Sequence, residues 1–232
     1  MTESGSNSCV QLENVTRSFK TEFETREILR GVTLQLSSGQ SLAITGPSGS
    51  GKTTLLNIIG TLEAPSSGTV NLFGTQPFAL SEAELAKFRN QTIGFVFQAH
   101  HLLPQCSVFE NVLLPTMVKS NADTDALTKR ALRLLERVGL SSRMNDRPAR
   151  LSGGERQRAA VVRALINSPR LILADEPTGS LDQSSAHTIG TLLTELISEE
   201  NVALIVVTHT PEIAQRMNRR MRLQDGILQP VS

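Results

Sequence analysis

The chain has 232 residues, 39% of them apolar, and its 23 basic and 22 acidic residues give a formal net charge of +1. This length allows one sizeable core, or one core with a small subdomain, and the balanced charge argues against nucleic acid as a partner. No apolar run approaches the roughly 18 residues of a membrane-spanning helix, and the polar residues 1–8 contain no signal-peptide core, so we expect a cytoplasmic protein.

The first third of the chain is predicted to be rich in β-strands. Val10–Val15 and Ile28–Leu36 alternate apolar with polar residues, as half-buried strands do. The short apolar run Ser41–Thr45 predicts a third strand, which leads directly into a glycine-rich loop.

That loop has the pattern of a phosphate-binding loop. The sequence GPSGSGKT lets the backbone wrap closely around phosphates with its N–H groups turned inward. Lys52 supplies a positive charge for the β- and γ-phosphates of ATP, and the Thr53 hydroxyl is suited to ligate Mg²⁺. A helix should follow over residues 51–62, closed by Pro65 and Gly68, and add its positive end to the site. The expected nucleotide contacts are Gly46, Pro47, Ser48, Gly49, Ser50, Gly51, Lys52, Thr53 and Thr54.

The middle of the chain is predicted to change from mixed to helical structure. Ser81–Glu84 has the form of a capping box that opens a helix toward Arg89, and Ile93–Phe97 is a candidate buried strand. From about residue 98 to residue 168 the pattern becomes helical. Gly139 should end a helix whose apolar face consists of Leu127, Ala131, Leu134, Leu135 and Val138.

A second capping box, Ser152–Glu155, predicts a helix that runs to Pro169, after which strands return. Leu171–Ala174 is a continuous apolar strand, and two carboxylates follow it. Because ligands of open α/β sheets bind at the carboxyl ends of the strands, Asp175 is placed to bind Mg²⁺ through water. Glu176 is placed to polarise the water that attacks the γ-phosphate.

The last third predicts another helix and strand, then a hairpin. The strand Val202–Val207 should end beside the previous strand, so His209 could reach the γ-phosphate, although a lone histidine is more often a plain loop residue. The pair Asp225-Gly226 predicts a closing hairpin. Strands flanked by helices imply a parallel sheet covered on both faces. The predicted helix has an apolar face formed by Ile189, Leu192, Leu193, Leu196 and Ile197.

With these motifs the chain resembles the ATP-binding-cassette (ABC) ATPases over essentially its whole length. Leu151–Glu155 reads LSGGE, which is the most specific of the motifs, and Gln98, Ser180–Asp182 and Thr208-His209 also match the family pattern. The resemblance implies ATP hydrolysis and an α/β P-loop NTPase (RecA-like) core with a mostly parallel sheet. It also implies an antiparallel β region at the N-terminus and an inserted helical subdomain.

The same resemblance implies one ABC ATPase domain over residues 1–232. Residues 1–97 and 169–232 would form the nucleotide-binding α/β core. Residues 98–168 would form the helical insert that carries the LSGGE signature.

Roles for single residues also follow from the resemblance. Gln98 looks like the glutamine that contacts Mg²⁺ and the attacking water, and His209 looks like the residue that contacts the γ-phosphate. Asp182 looks like the residue that links two sites across a dimer. Ser152 and Gly154 look like the groups that close over the γ-phosphate held by a partner subunit, and Gly153 between them is a further expected nucleotide contact.

The adenine contact is expected from an aromatic side chain. Phe19 occupies the position at which the family stacks an aromatic ring on adenine, and base stacking of this kind stabilises binding by about 1–3 kcal/mol. Phe23 is a second option, and a plain core role for Phe19 is the alternative.

The implied active unit is a pair of identical chains. One chain holds ATP but lacks the second wall of the site, so two chains head to tail complete two sites. Each site then combines the phosphate loop of one copy with the LSGGE signature of the other, and ATP binding favours the closed dimer.

Within the family, Gln98–Pro104 and Phe109–Val112 are similar to the ATP-binding subunits of bacterial lipoprotein-releasing systems. That wider branch includes macrolide-exporter and cell-division ATPases. The resemblance implies a peripheral protein at the cytoplasmic face of the inner membrane, bound to two transmembrane permease subunits through about residues 98–112. It would power the release of lipoproteins toward the outer membrane.

Other functions remain alternatives. The ATPase of a macrolide-exporter-type or cell-division complex, or of a nutrient importer, would use the same motor. Soluble ABC ATPases of translation or DNA repair usually carry two cassettes or long inserts, which this chain lacks. A GTPase would need an Asn-Lys-x-Asp base-reading motif, which is not found.

Overall fold

The computed structural model describes residues 8–20, 24–118 and 123–231, and its first sheet is antiparallel. Its strands are β1 (Ser8–Lys20), β2 (Thr25–Ser37) and β4 (Ser67–Leu72), with β1 in the centre. The predicted antiparallel region at the N-terminus is confirmed. Phe23 lies outside the described residues.

The second sheet contains the four predicted apolar strands and the two strands of the predicted closing hairpin. They are β3 (Ser41–Thr45), β5 (Ile93–Phe97), β6 (Leu171–Asp175), β7 (Ala203–Val207), β8 (Arg219–Gln224) and β9 (Ile227–Pro230). Their order is β5-β6-β7-β3-β8-β9, and all pairs are parallel except β8 with β9. The turn between β8 and β9 contains Asp225 and Gly226, both at positive φ, so the predicted hairpin is confirmed.

The helices lie on both faces of this sheet. They are α1 (Lys52–Ile59), α2 (Glu82–Thr92), α3 (Val108–Leu113), α4 (Thr124–Arg137), α5 (Gly153–Leu165), α6 (Gln183–Glu199) and α7 (Pro211–Gln215). The capping boxes predicted at Ser81 and Ser152 are confirmed. In the described part of the chain, no helix is both long enough and apolar enough to cross a membrane.

Two apolar clusters cover the two faces of the parallel sheet. Leu42 and Ile44 of β3 belong to the cluster shared with α1 and the antiparallel sheet, whereas Ala43 between them belongs to the cluster shared with α3 to α6. Adjacent residues of one strand are thus buried on opposite sides. This arrangement explains why the central strands are continuous apolar runs rather than alternating ones.

Helix α1 is shorter than predicted, because it ends at Ile59 and not near residue 62. Gly60 caps it at a place where a Cβ atom would lie 2.6 Å from the ring of Phe95. The next residue, Thr61, has left-handed backbone (φ +58°), which takes the chain out of the helix.

The segment that was expected only to close α1 forms strand β4. Gly68 lies inside this strand at φ +87°, where a Cβ atom would be 2.4 Å from the carbonyl oxygen of Asn14. Its partner β1 is about fifty residues away, and local pattern does not reveal such a pairing. Helix α5 also ends earlier than predicted, at Leu165 rather than Pro169.

Candidate active site

Four neighbouring strands bring the predicted chemical groups to one edge of the parallel sheet. In the order of the sheet, β5 leads to Gln98, β6 to Asp175 and Glu176, β7 to His209, and β3 to the phosphate loop. The register pairs Phe97 with Asp175 and Asp175 with Val207, so these strand ends lie side by side. A residue set spread over more than 160 positions therefore converges at the carboxyl ends of adjacent strands.

The phosphate loop needs its glycines for backbone conformation and for close packing. Gly46, Gly49 and Gly51 all have positive φ. At Gly46 a Cβ atom would lie 2.1 Å from the carbonyl oxygen of Leu223 in β8, so the loop passes too close to that strand for any side chain. Gly51 is the N-cap of α1, and no side chain in the described ranges caps the helix. The first N–H groups of α1 are therefore available to an anion.

Two side chains of the loop also indicate an anion-binding site. The Lys52 ammonium donates to the carbonyl oxygens of Gly46 and Pro47, both at 2.9 Å, which keeps it folded over the loop. The Ser50 hydroxyl is buried and has no hydrogen-bond partner among the described residues. A buried hydroxyl without a hydrogen-bond partner destabilises the fold. A phosphate oxygen bound in this loop would accept the missing hydrogen bond.

The donors next to the loop suit Mg²⁺. The Thr53 hydroxyl donates to Asp175 Oδ2 at 3.1 Å. Burial raises the pKa of Asp175, and the neighbouring Glu176 raises it further, whereas Thr53 and the Lys52 charge act in the opposite direction. No group of three or more His, Cys, Asp or Glu side chains suited to a metal occurs within residues 8–20, 24–118 and 123–231. One hydroxyl and one carboxylate fit an ion that takes its remaining ligands from phosphate and water, as Mg²⁺ does.

Glu176 and His209 form a pair at this edge. His209 Nδ1 lies 2.7 Å from Glu176 Oε1, and the His209 backbone N–H donates to Oε2 at 3.3 Å. The Glu176 side chain is only 14% exposed, whereas that of His209 is 69% exposed. Glu176 also has left-handed backbone (φ +45°), held by its N–H bond to the Val207 carbonyl. The histidine thus fixes the carboxylate from one side and leaves its own ring accessible.

Gln98 packs against the segment that follows Glu176. A Cβ atom on Gly179 would lie 2.9 Å from Gln98 Nε2, so glycine makes the space for this amide. The Ser180 hydroxyl donates to the Gln98 carbonyl oxygen at 3.4 Å. Gln98 therefore packs against Gly179 and Ser180, which follow the carboxylates Asp175 and Glu176 in the chain.

The signature residues lie apart from the phosphate loop. The exposed Ser152 caps α5 by accepting from the Glu155 N–H at 3.2 Å, and its own N–H donates to Glu155 Oε2 at 2.7 Å. Around Gly153 and Gly154 the nearest atoms come chiefly from Leu181 and Ser185. Within the described part of the chain, the hydrogen bonds of Ser152 go to Glu155 and Arg156 and not to the phosphate loop. None of these contacts of Ser152, Gly153 and Gly154 within the described residues involves the phosphate loop.

Asp182 caps helix α6, which starts beside these signature residues. Its Oδ1 accepts from the Ser185 N–H at 3.0 Å and from the Ser184 hydroxyl at 2.6 Å. These hydrogen bonds hold the pKa of Asp182 well below its usual range. Asp182 is thus an ionised cap at the start of α6.

Phe19 is 43% exposed, so the alternative that it is a core residue is wrong. It lies on β1 opposite Arg26 of β2. Arg26 lines a pocket of about 380 Å³ between β2 and the phosphate loop, and Pro47, Ser48 and Ser50 line its other side. Phe19 is thus one strand away from this pocket, opposite a β2 residue that lines it.

Sequence reasoning missed a polar cluster that holds the chain after Gln98. His100 and His101 both have left-handed backbone, and Arg163 of α5 donates to both of their carbonyl oxygens. Gln157, fully buried on α5, contacts His100 Nδ1 and donates to the Phe97 carbonyl at 3.4 Å. Burial is the main reason that the pKa of His100 is lowered. The signal available in the sequence was the polar residue Gln157, five residues after Ser152 on the predicted helix.

A groove of about 460 Å³ lies near this cluster, on the side where residues of the middle segment meet α2 and β5. It is largely apolar, and Val118 at its rim is 70% exposed. Of residues 98–112, which were predicted to form the permease contact, none lines it. The lining includes Leu62, Ala86, Arg89, Asn90, Ile93, Phe95, Phe97, Pro115, Val118, Arg163 and Asn167.

Comparison with known proteins agrees with this geometry. The family model described as ABC transporter matches residues 29–179. Lipoprotein-releasing system ATP-binding protein LolD 1 of Rhodopirellula baltica is 52% identical over 217 residues, which is 94% of each chain. Lipoprotein-releasing system ATP-binding protein LolD of Shewanella frigidimarina is 48% identical over 223 residues, covering 96% of this chain and 93% of that protein.

Two solved structures are also similar. A dimeric ATP-binding cassette in a post-hydrolysis state, bound to ADP and Pi, has a TM-score of 0.86 and 39% identity. A dimeric bacterial ABC transporter cassette has a TM-score of 0.87 and the same identity. Each match covers 96% of this chain and 99% of the other.

Proposed function

The chain belongs to the ABC transporter family, and we propose that it is the ATP-hydrolysing subunit of a transporter that releases lipoproteins from the bacterial inner membrane. The observation that carries this proposal is identity near 50% along almost the full length of two lipoprotein-releasing system ATP-binding proteins. The convergence of the phosphate loop, Asp175, Glu176 and His209 at one sheet edge supports the hydrolytic part of the function.

The proposed reaction is attack of water on the γ-phosphorus of ATP, which breaks the bond from that phosphorus to the bridging oxygen and releases ADP and phosphate. The loop amides, Lys52 and Ser50 hold the phosphates, and Glu176 accepts the proton of the attacking water. Its carboxylate oxygens keep lone pairs for that water after accepting from His209. Thr53 and Asp175, with Gln98, would hold Mg²⁺, which supplies positive charge against the phosphate oxygens when bound.

We propose that a second copy of the chain completes each site. Ser152, Gly153 and Gly154 of one copy would close over the γ-phosphate held by the phosphate loop of the other, with Asp182 near the contact. Support comes from the exposure of Ser152 and from the dimeric state of two similar cassettes. The exposed ring of His209 is accessible to the same phosphate.

The transmembrane partners are proposed to dock through about residues 98–112 and the apolar groove beside Phe97, at the cytoplasmic face of the membrane. The apolar groove beside Phe97 supports this, because exposed apolar surface of this kind marks an interaction site. Gln98 follows Phe97 directly, so a segment seated in the groove would contact the chain next to the catalytic glutamine. Residues 98–112 would then transmit the movement of the bound permease segment to the catalytic site, rather than form the contact surface alone.

Isolation from bacterial membranes in mild detergent tests the proposed partner and cargo together. We expect two permease subunits to co-purify, and the reconstituted complex to release a lipoprotein from proteoliposomes when ATP is added. The Glu176→Gln complex should assemble but release none. Active complexes that export a macrolide or import a nutrient, with no lipoprotein release, would overturn the proposal.

A further inference from the structure

Arg17 connects the exposed ring of Phe19 to the far end of the phosphate-loop helix. Its guanidinium carbon lies 4.7 Å from the centroid of the Phe19 ring. Its Nε donates to Glu63 Oε1 at 2.7 Å, and the two side chains are only 24% and 20% exposed. One guanidinium therefore contacts the ring and is anchored by a partly buried carboxylate.

Glu63 is itself fixed to helix α1. The N–H groups of Leu62 and Glu63 both donate to the carbonyl oxygen of Asn57 in the last turn of that helix. Helix α1 begins at the phosphate loop, so the Arg17–Glu63 ion pair ties strand β1 to the same rigid element that binds the phosphates. The ring and the loop are held at a fixed separation.

We propose that Arg17 and Glu63 are positioning residues for the nucleotide base. This inference rests on the proposed ATP-binding function and extends it beyond the aromatic ring. The guanidinium covers one face of Phe19, and adenine would stack on the other, so that three planar groups lie in layers. A ring clamped in advance loses less conformational freedom when the base binds, which strengthens binding.

The test compares ATP with inorganic tripolyphosphate, which lacks the base, by calorimetric titration of the full-length chain. Arg17→Ala is expected to weaken ATP binding about 3- to 10-fold, and to change tripolyphosphate binding less than about 2-fold. Arg17→Lys should weaken ATP binding less than Arg17→Ala does, since lysine keeps the charge of arginine but not its planar guanidinium. Glu63→Gln, which keeps the size of the side chain, should weaken ATP binding in the same selective manner.

The matched control is Arg133→Ala, because Arg133 also pairs with a glutamate, Glu200, but is 66% exposed and lies on α4 rather than on β1. It should change neither affinity. Equal losses for ATP and tripolyphosphate in both Arg17→Ala and Glu63→Gln would mean a merely structural ion pair and would overturn the inference.

Phe19→Ala separates this inference from the function on which it rests. If Phe19→Ala lowers the preference for ATP and Arg17→Ala does not, Phe19 is the base platform and only the positioning role is wrong. If Phe19→Ala leaves that preference unchanged, the platform itself is wrong, although phosphate binding and hydrolysis would still stand.

Discussion

Helices α1 and α5 both begin at glycine-rich motifs, yet their first turns are built in opposite ways. Helix α1 has Gly51 as its N-cap, with no side-chain cap and no acidic residue in the first turn. Helix α5 has a complete capping box formed by Ser152 and Glu155, so it begins with a carboxylate. The hydrogen bonds to Ser152 lower the pKa of Glu155, which keeps this carboxylate ionised.

This difference indicates which of the two helices can bind an anion without a contribution from a second chain. The uncapped N–H groups and positive end of α1 attract phosphate without help. At α5 one N–H is already satisfied, and the carboxylate offsets the positive end of the helix. Helix α5 is therefore suited to close over phosphates that another chain already holds. We call the phosphate loop with the start of α1 the first wall of the site, and the signature at the start of α5 the second wall. Four substitutions test the contrast between them.

Glu176→Gln should have the largest effect, because it removes the proton acceptor and leaves both walls intact. We expect hydrolysis to fall by about 10²- to 10⁴-fold, while ATP binding continues. If the walls suffice for closure, size-exclusion chromatography with ATP should show a long-lived dimer. A monomer with normal turnover would contradict the assignment of Glu176.

Ser152→Ala removes a proposed phosphate donor from the second wall only. We expect turnover to fall by about 10²- to 10³-fold, as when one donor to a developing charge is lost, with unchanged ATP affinity in the isolated chain. Ser81→Ala is the matched control, since Ser81 caps α2 in the same way. Both variants should lose about 1 kcal/mol of folding stability. Equal turnover in the two variants would therefore show that Ser152 has no role beyond capping its helix.

Lys52→Ala weakens the first wall. Hydrogen bonds to charged groups contribute about 1.5–3 kcal/mol, so ATP affinity should fall about 10- to 100-fold even in a single chain. Calorimetric titration measures this directly. An unchanged dissociation constant would mean that the loop does not hold the triphosphate.

Glu155→Gln should have the smallest effect and the opposite sign. Glutamine also completes a capping box, so the helix should stay folded, while the negative charge at its start disappears. A charge at a helix end changes the free energy by about 0.3–1 kcal/mol, so ATP-driven dimerisation should become about 2- to 5-fold tighter. Dimerisation measured by light scattering that weakens instead would show that the carboxylate is not opposing the phosphate.

The sequence predicts the active edge better than the rest of the molecule, for physical reasons. Strands β3, β5, β6 and β7 are buried on both faces, so each is a short apolar run that ends at a chemical motif. Strand β4 was missed because it depends on pairing with the distant β1.

The support for Gln98 could not be predicted in the same way. The bonds from Gln157 and Arg163 to residues 97–101 join positions about sixty residues apart. The apolar groove likewise combines side chains from several separate segments. Local pattern identifies the groups that carry the chemistry, whereas the contacts that hold them in place arise from the fold.

The Ser50 hydroxyl and the start of α1, which have no side-chain partner among the residues that the structure describes, have a thermodynamic consequence. A ligand that satisfies these groups binds the folded chain and not the unfolded one, so it must raise the melting temperature. At a nucleotide concentration one hundred times the dissociation constant, the added stability is about 2.7 kcal/mol. The thermal stability of this protein then depends on the concentration of nucleotide around it.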